Sequence, residues 1–211
     1  MITLVFTGFG CTRPLLDGDA RLQVSSRNAD DQSTTVGEFT RAFYRFGDQN
    51  TVTVLLLDGE AEAPERVAAI EMFWKAKAGA TPIDRTATNA VVRFYEFRDT
   101  DAEPDTVGVY AGAGFVRLHD NPRGGTVDGN LWDADLRLTD RSETFTDRLG
   151  RAILAGSFTA QRDDAMVTRV MRTLNQRLEE RLGYPRLTRS QEHKDSLSAI
   201  AMARSTAWSS R

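Results

Sequence analysis

Apolar and polar positions follow one another in short runs through the first two thirds of the chain and take a helical period near the end. Between Phe39 and Leu118 the runs FTRAFYRFGDQNTVTVLLL, PERVAAIEMFWKAKAG, NAVVRFYEF and VGVYAGAGFVRL predict strand, strand, helix, strand and strand. In the first, Phe39, Arg41, Phe43 and Arg45 share one face and Thr40, Ala42, Tyr44 and Phe46 the other, so neither face is purely apolar. GDQN then turns the chain into TVTVLLL, a β-branched and aliphatic run suited to a strand covered on both sides and paired with its predecessor as a hairpin.

A helix is expected over 64–78. Pro64 opens it where a missing N–H costs nothing, and Glu65 lies in the first turn, where the helix dipole favours an acid. Val67, Ile70, Phe73 and Trp74 recur at spacings of three and four, Lys75 and Lys77 come near the end, and Gly79 lies just beyond. The two strands that follow are joined by the acidic loop RDTDAEPDT, and Gly108, Gly112 and Gly114 suggest a bend, a bulge or a close backbone approach. GNLWDADLRL alternates Leu131, Asp133, Asp135 and Arg137 against Trp132, Ala134, Leu136 and Leu138, as a half-buried strand would.

Ahead of this body, Ile2 to Phe9 reads as an opening strand, followed by RLQVSS and a polar loop over 25–37. Beyond it, RSETFTDRLGRAILAGSF reads as a short helix or turn. DDAMVTRVMRTLNQRLEERLG is the clearest helix of the chain: Val167, Val170, Met171, Leu174, Leu178 and Leu182 keep the helical period, Asp163 or Asp164 caps it, and Gly183 with Pro185 stops it. Its other face carries Arg169, Arg172, Arg177 and Arg181, the candidate interface residues, and SQEHKDSLSAIAMARS reads as one further helix. The expected class is α+β: an antiparallel β-sandwich or curled sheet with one packed helix, plus C-terminal helices. The expected division is a β-rich body at 1–139 and a helical, basic extension at 140–211.

Charge adds a polarity to this picture. Residues 1–140 hold 14 Lys and Arg against 22 Asp and Glu, whereas residues 141–211 hold 13 against 8. An acidic front and a basic tail allow the tail to sit on nucleic acid or on the acidic face of a neighbouring subunit. Arginine outnumbers lysine 24 to 3, which favours planar pairing with carboxylates. Cys11 is the only cysteine, so neither an intramolecular disulfide nor a thiolate zinc site is available within one chain. No apolar run approaches a membrane span, and MITLVFTGFG lacks the basic start of a secretory signal, so a soluble protein made in a cytoplasm is expected.

Candidate chemistry is sparse. The GAG at 112–114 precedes a strand-like FVRL, and no GK[ST] follows any glycine cluster, so the nucleotide-binding fingerprints fail on context. Asp58, Glu60, Glu96, Asp99 and Asp101 are the acids a metal-dependent hydrolase would draw on, but no lysine follows at short spacing. His119 beside Asp120, and His193 in EHKD, are isolated from any nucleophile. The arginines of 164–182 could contact phosphates, yet Glu179 and Glu180 interrupt them and no aromatic residues lie between them.

FTRAFYRFGDQNTVTV, PERVAAIEMFWKAKAG and TNAVVRFYEF together resemble small structural proteins of tailed-bacteriophage tails, in which an R-x-F-x-R-G-like strand and its hairpin mate precede an A-x-x-F helix and an nAvv-type strand. The resemblance covers residues 37–118. It implies a non-enzymatic virion subunit of a tail or neck, a homo-oligomer that builds a ring or tube through strand edges and helices, alongside other virion proteins and without a cofactor. A nucleic-acid-binding connector using the basic helix and a metal-dependent hydrolase stand as the alternatives.

Overall fold

The computed structural model describes residues 19–26, 34–47, 51–73, 88–101 and 103–183. These form nine strands and one helix: β1 (Asp19–Ser26), β2 (Thr34–Phe39), β3 (Arg41–Phe46), β4 (Val52–Asp58), β5 (Arg66–Met72), β6 (Ala90–Arg98), β7 (Thr106–Leu118), β8 (Thr126–Arg141), β9 (Arg151–Arg162) and α1 (Asp164–Leu182). All belong to one sheet in the order β2-β1-β9-β3-β4-β5-β6-β7-β8, and β8 pairs back onto β9. The sheet therefore curls until it closes as a barrel, rather than splitting into two facing sheets. Closure depends on β9, which pairs with β8 on one side and with β1 on the other before its last residues reach β3. That β3–β9 contact, Phe43 with Gln161 and Tyr44 with Arg162, is parallel, while the other pairings are antiparallel.

Alternation along the strands sorts the apolar residues into two cores. Leu22, Tyr44, Leu56, Ile70, Val92, Tyr110, Leu136 and Leu154 are among the inward set and fill the barrel, as side chains do in barrels of this size. Phe43, Leu55, Leu57, Val67, Tyr95, Phe97, Val107 and Val109 point outward and are covered by Val167, Val170, Leu174 and Leu178 of α1. Burying each such aliphatic side chain stabilises the docked helix by about 1.5–3 kcal/mol. Asp163 caps α1 by accepting a hydrogen bond from the Met166 N–H at 2.7 Å, and Gly183 ends it in the left-handed region at φ 77°.

Four expectations are corrected, the first being the polar loop over 25–37, which overlaps strand β1 up to Ser26 and strand β2 from Thr34. The helix expected over 64–78 is strand β5 over Arg66–Met72, and Lys75, Lys77 and Gly79 lie outside the described residues. Ala68, Ile70 and Met72 face the barrel interior while Val67 and Ala69 face α1. A strand buried on both faces carries apolar residues at almost every position, and such a run satisfies a three-four spacing by accident. The helix or turn expected over 141–158 gives way to strand β9 from Arg151. With β9 and α1 built into the barrel, residues 140–183 are part of the body and not a helical extension; the further helix in SQEHKDSLSAIAMARS and the opening strand Ile2 to Phe9 lie outside the described residues.

One local device keeps the upper part of the barrel wall continuous. β6 begins at Ala90, opposite Gly114, so β7 runs on past its partner. The buried Asn89 side chain takes the place of a strand there: its Nδ2 donates to the Val116 carbonyl at 2.8 Å and its Oδ1 accepts the Val116 N–H at 2.7 Å. Asn89→Ala orphans both main-chain groups of Val116 and is expected to lower stability by about 2–4 kcal/mol, read as a lowered midpoint in urea unfolding. A loss below about 0.5 kcal/mol would show that water replaces the amide without cost.

Candidate interaction surfaces

The four arginines singled out on α1 separate into two pairs. Arg169 and Arg172 are exposed, one turn apart on the face turned away from the barrel. Arg177 and Arg181 are half-buried and fold over the Phe97 ring, with Cζ atoms 3.9 and 5.0 Å from its centroid. Arg177 donates from Nη1 to the Pro64 carbonyl at 2.7 Å, and Arg181 pairs with Asp105. Burial, and then the nearby Arg181 charge, push the Arg177 pKa below its usual value.

Three of the five carboxylates suited to metal binding are held by arginines. Asp58 accepts from Arg66 at 2.8 and 2.5 Å, Glu60 pairs with Arg41 at 2.9 Å, and Glu96 pairs with Arg98 at 3.0 Å. Asp99 and Asp101 lie exposed in the β6–β7 turn, and no group of three or more candidate ligands occurs among the described residues. Arg98 also bonds the buried Glu103 at 2.8 Å, and this hydrogen bond, followed by one from Thr146, brings the Glu103 carboxyl from 4.5 to about 2. Burial works against the Arg98 charge, but its bonds to Glu96 and Glu103 outweigh that and raise its pKa. These pairs rivet the barrel foot; their planar geometry suits arginine far better than lysine.

His119 follows β7, with its Nε2 2.9 Å from the Asn130 amide nitrogen, and Asp128 accepts from Thr159 at 2.6 Å. They border a shallow polar hollow of about 240 Å3 that also includes Arg21 and Ser157. Cys11 and His193 lie outside the described residues, and the GAG of 112–114 runs along β7 in mid-strand.

Two surface features were not anticipated. First, β2 pairs with β1 and lies at the end of the strand order, so the far edge of Thr34–Phe39 has no partner strand among the described residues. Second, β8 bulges: Leu131 and Ala134 face Gly156 and Leu154, leaving Trp132 and Asp133 opposite the single residue Ala155. Asp133 takes φ 42°, and Trp132 is turned out, 38 % exposed and stacked on Phe115 with centroids 5.6 Å apart. The expected face of Trp132, Ala134, Leu136 and Leu138 is corrected accordingly, since Leu131 rather than Trp132 joins Ala134 and Leu136 in the core.

No protein-family model, curated protein or solved structure matches the chain. Among the described residues no helix is long and apolar enough to cross a membrane.

Proposed function

We propose that this protein is a non-enzymatic structural subunit of a bacteriophage tail or neck that assembles with copies of itself into a ring or tube. The open edge of β2 is the observation that supports this reading. The rest of the sheet closes, and the barrel is filled by its own side chains, so the unsatisfied hydrogen-bonding groups of the described strands concentrate along Thr34–Phe39. An edge of that kind is completed by strand addition, and a heterologous contact between copies closes into a ring or grows into a tube. Arg169 and Arg172, exposed on α1, supply a second contact.

Light scattering across a concentration series tests the reading. The expected result is a mass well above one chain that grows with concentration, and a chain monomeric throughout overturns it. Thr35→Pro and Val36→Pro probe the edge, because adjacent residues of a strand direct their N–H groups to opposite sides. One proline removes a bond to β1 and destabilises the fold. The other removes an outward donor and is expected to return the assembly to monomer mass with melting unchanged.

A further inference from the structure

A cleft of about 500 Å3 opens at the foot of α1, between the β4–β5 turn, the end of β6 and the last helical turn, and is lined by Pro64, Arg66, Phe97, Arg98, Arg177 and Arg181 among others. Three of its four arginines are already matched to acids: Arg66 to Asp58, Arg98 to Glu96 and Glu103, and Arg181 to Asp105. Arg177 differs. Its Nη1 donates to a neutral carbonyl, that of Pro64, and it forms no salt bridge among the described residues. A guanidinium carries five N–H donors in a fixed fork, so a half-buried one that bonds a carbonyl, with a second cation beside it, is arranged for an incoming anion.

The surroundings select the anion. Phe97 and Pro64, both largely buried, add a small apolar area to a mainly polar cleft, which suits a carboxylate on an organic group better than a bare inorganic ion. Glu65 and Asp99, both exposed, also border it and repel a phosphate dianion or a nucleic-acid backbone more than a single carboxylate. We propose that this cleft binds a carboxylate carried on a peptide, a Glu or Asp side chain or a chain end, gripped in bidentate fashion by Arg177. This goes beyond the assembly reading, because it stands on the cleft itself and holds for a peptide of any parent chain.

The test follows the Arg177 Nε–H signal by NMR while the full chain is titrated with acetyl-Ala-Glu-Ala-amide, its Gln counterpart, acetate and inorganic phosphate. The expected result is a saturable shift with the Glu peptide, and binding about tenfold weaker for the Gln peptide. Arg177→Lys, which keeps the charge but loses the fork and with it the side-chain signal, is followed instead by the backbone N–H signals of Phe97 and Arg98, and is expected to weaken the Glu peptide to a similar extent, about tenfold. Glu65→Gln with Asp99→Asn, both at exposed positions, is expected to tighten it a few-fold. An unmoved Arg177 signal, equal binding of the Gln peptide, or tighter binding of phosphate would each overturn the proposal. Acetate binding as tightly as the peptide would assign the cleft to free small carboxylates and overturn the peptide part. Because the readout is a side-chain signal in a single chain, a monomeric protein that binds the peptide would fail the assembly reading and still support this one.

Discussion

Gly156→Ala is expected to remove most of the stability of the barrel, a loss of about 4 kcal/mol or more. Gly156 lies where β9 is squeezed between Leu131 of β8 and Leu22 of β1, directly beside the β8 bulge. Its φ of 151° is one that side-chain-bearing residues rarely adopt, and a Cβ there would fall 2.1 Å from the Arg21 carbonyl oxygen and 2.9 Å from the Leu22 Cα. Both obstacles are main chain, so relief requires β1 to move off β9, and β1 carries Ala20, Leu22 and Val24 of the inner core. Domains of this size have about 5–15 kcal/mol to lose. Gly125→Ala is the control, since a Cβ there meets nothing within 4 Å. Urea unfolding of the two variants decides the matter. A Gly156→Ala barrel within about 1 kcal/mol of the parent would show that β1 does not approach β9 so closely.

The same site shows which parts of the fold could be read from the amino acids. The hairpin of 41–46 with 52–57 and the strands around Val91 and Val109 were legible, because β-branched runs bounded by turn residues mean little else, whereas Phe39, expected in the same strand, ends β2 and pairs with β1. α1 was legible down to its caps, since one wet face leaves the period of 3.6 undisturbed. Strand β5 was not legible: with the barrel interior on one side and α1 on the other, RVAAIEM carries no polar stripe from which to count. The bulge left a trace that alternation alone misreads. Leu131 and Leu136 are five apart and both fully buried, which an unbroken strand cannot arrange on one face, so an extra residue must sit between them.

Interaction surfaces were harder to read, for a different reason. Spacing on a helix says which arginines share a stripe, but not that Phe97, on β6, will draw Arg177 and Arg181 inward and leave Arg169 and Arg172 in water. Likewise Asp58, Glu60 and Glu96 look free along the chain. Their arginine partners are 8, 19 and 2 residues away, and Asp58 meets Arg66 only because β4 and β5 pair. The edge of β2, unpaired among the described strands, is a property of topology, and no local pattern encodes it.

Phe145→Ala is expected to cost about 3–5 kcal/mol, although the residue lies in a connection and in neither strand nor helix. Residues 142–150 link β8 to β9 and fold into the foot of the barrel, where Phe145 is 1 % exposed, meets Tyr110 edge-on at 6.5 Å and lies 4.4 Å beneath the Arg98 guanidinium. The plug is tied at both ends. Ser142 donates its N–H to the Val107 carbonyl and accepts the Val107 N–H, while Asp147 accepts from the Tyr110 hydroxyl at 2.7 Å and from the N–H groups of Leu149 and Gly150. Burial, and then the bond to Asp147, push the Tyr110 hydroxyl pKa up, so this tie persists through the neutral range. β7 makes room for the ring with Gly108, where a Cβ would lie 2.2 Å from a Phe145 ring carbon. Gly108→Ala alone is therefore destabilising, and Phe145→Ala alone leaves a void. Together they relieve each other, because the methyl enters space the ring has vacated, so the double variant is expected to be more stable than the sum of the single losses by about 1 kcal/mol or more. Strict additivity in the double-mutant cycle would mean that ring and glycine do not share that space, and that the plug is held by its hydrogen bonds alone.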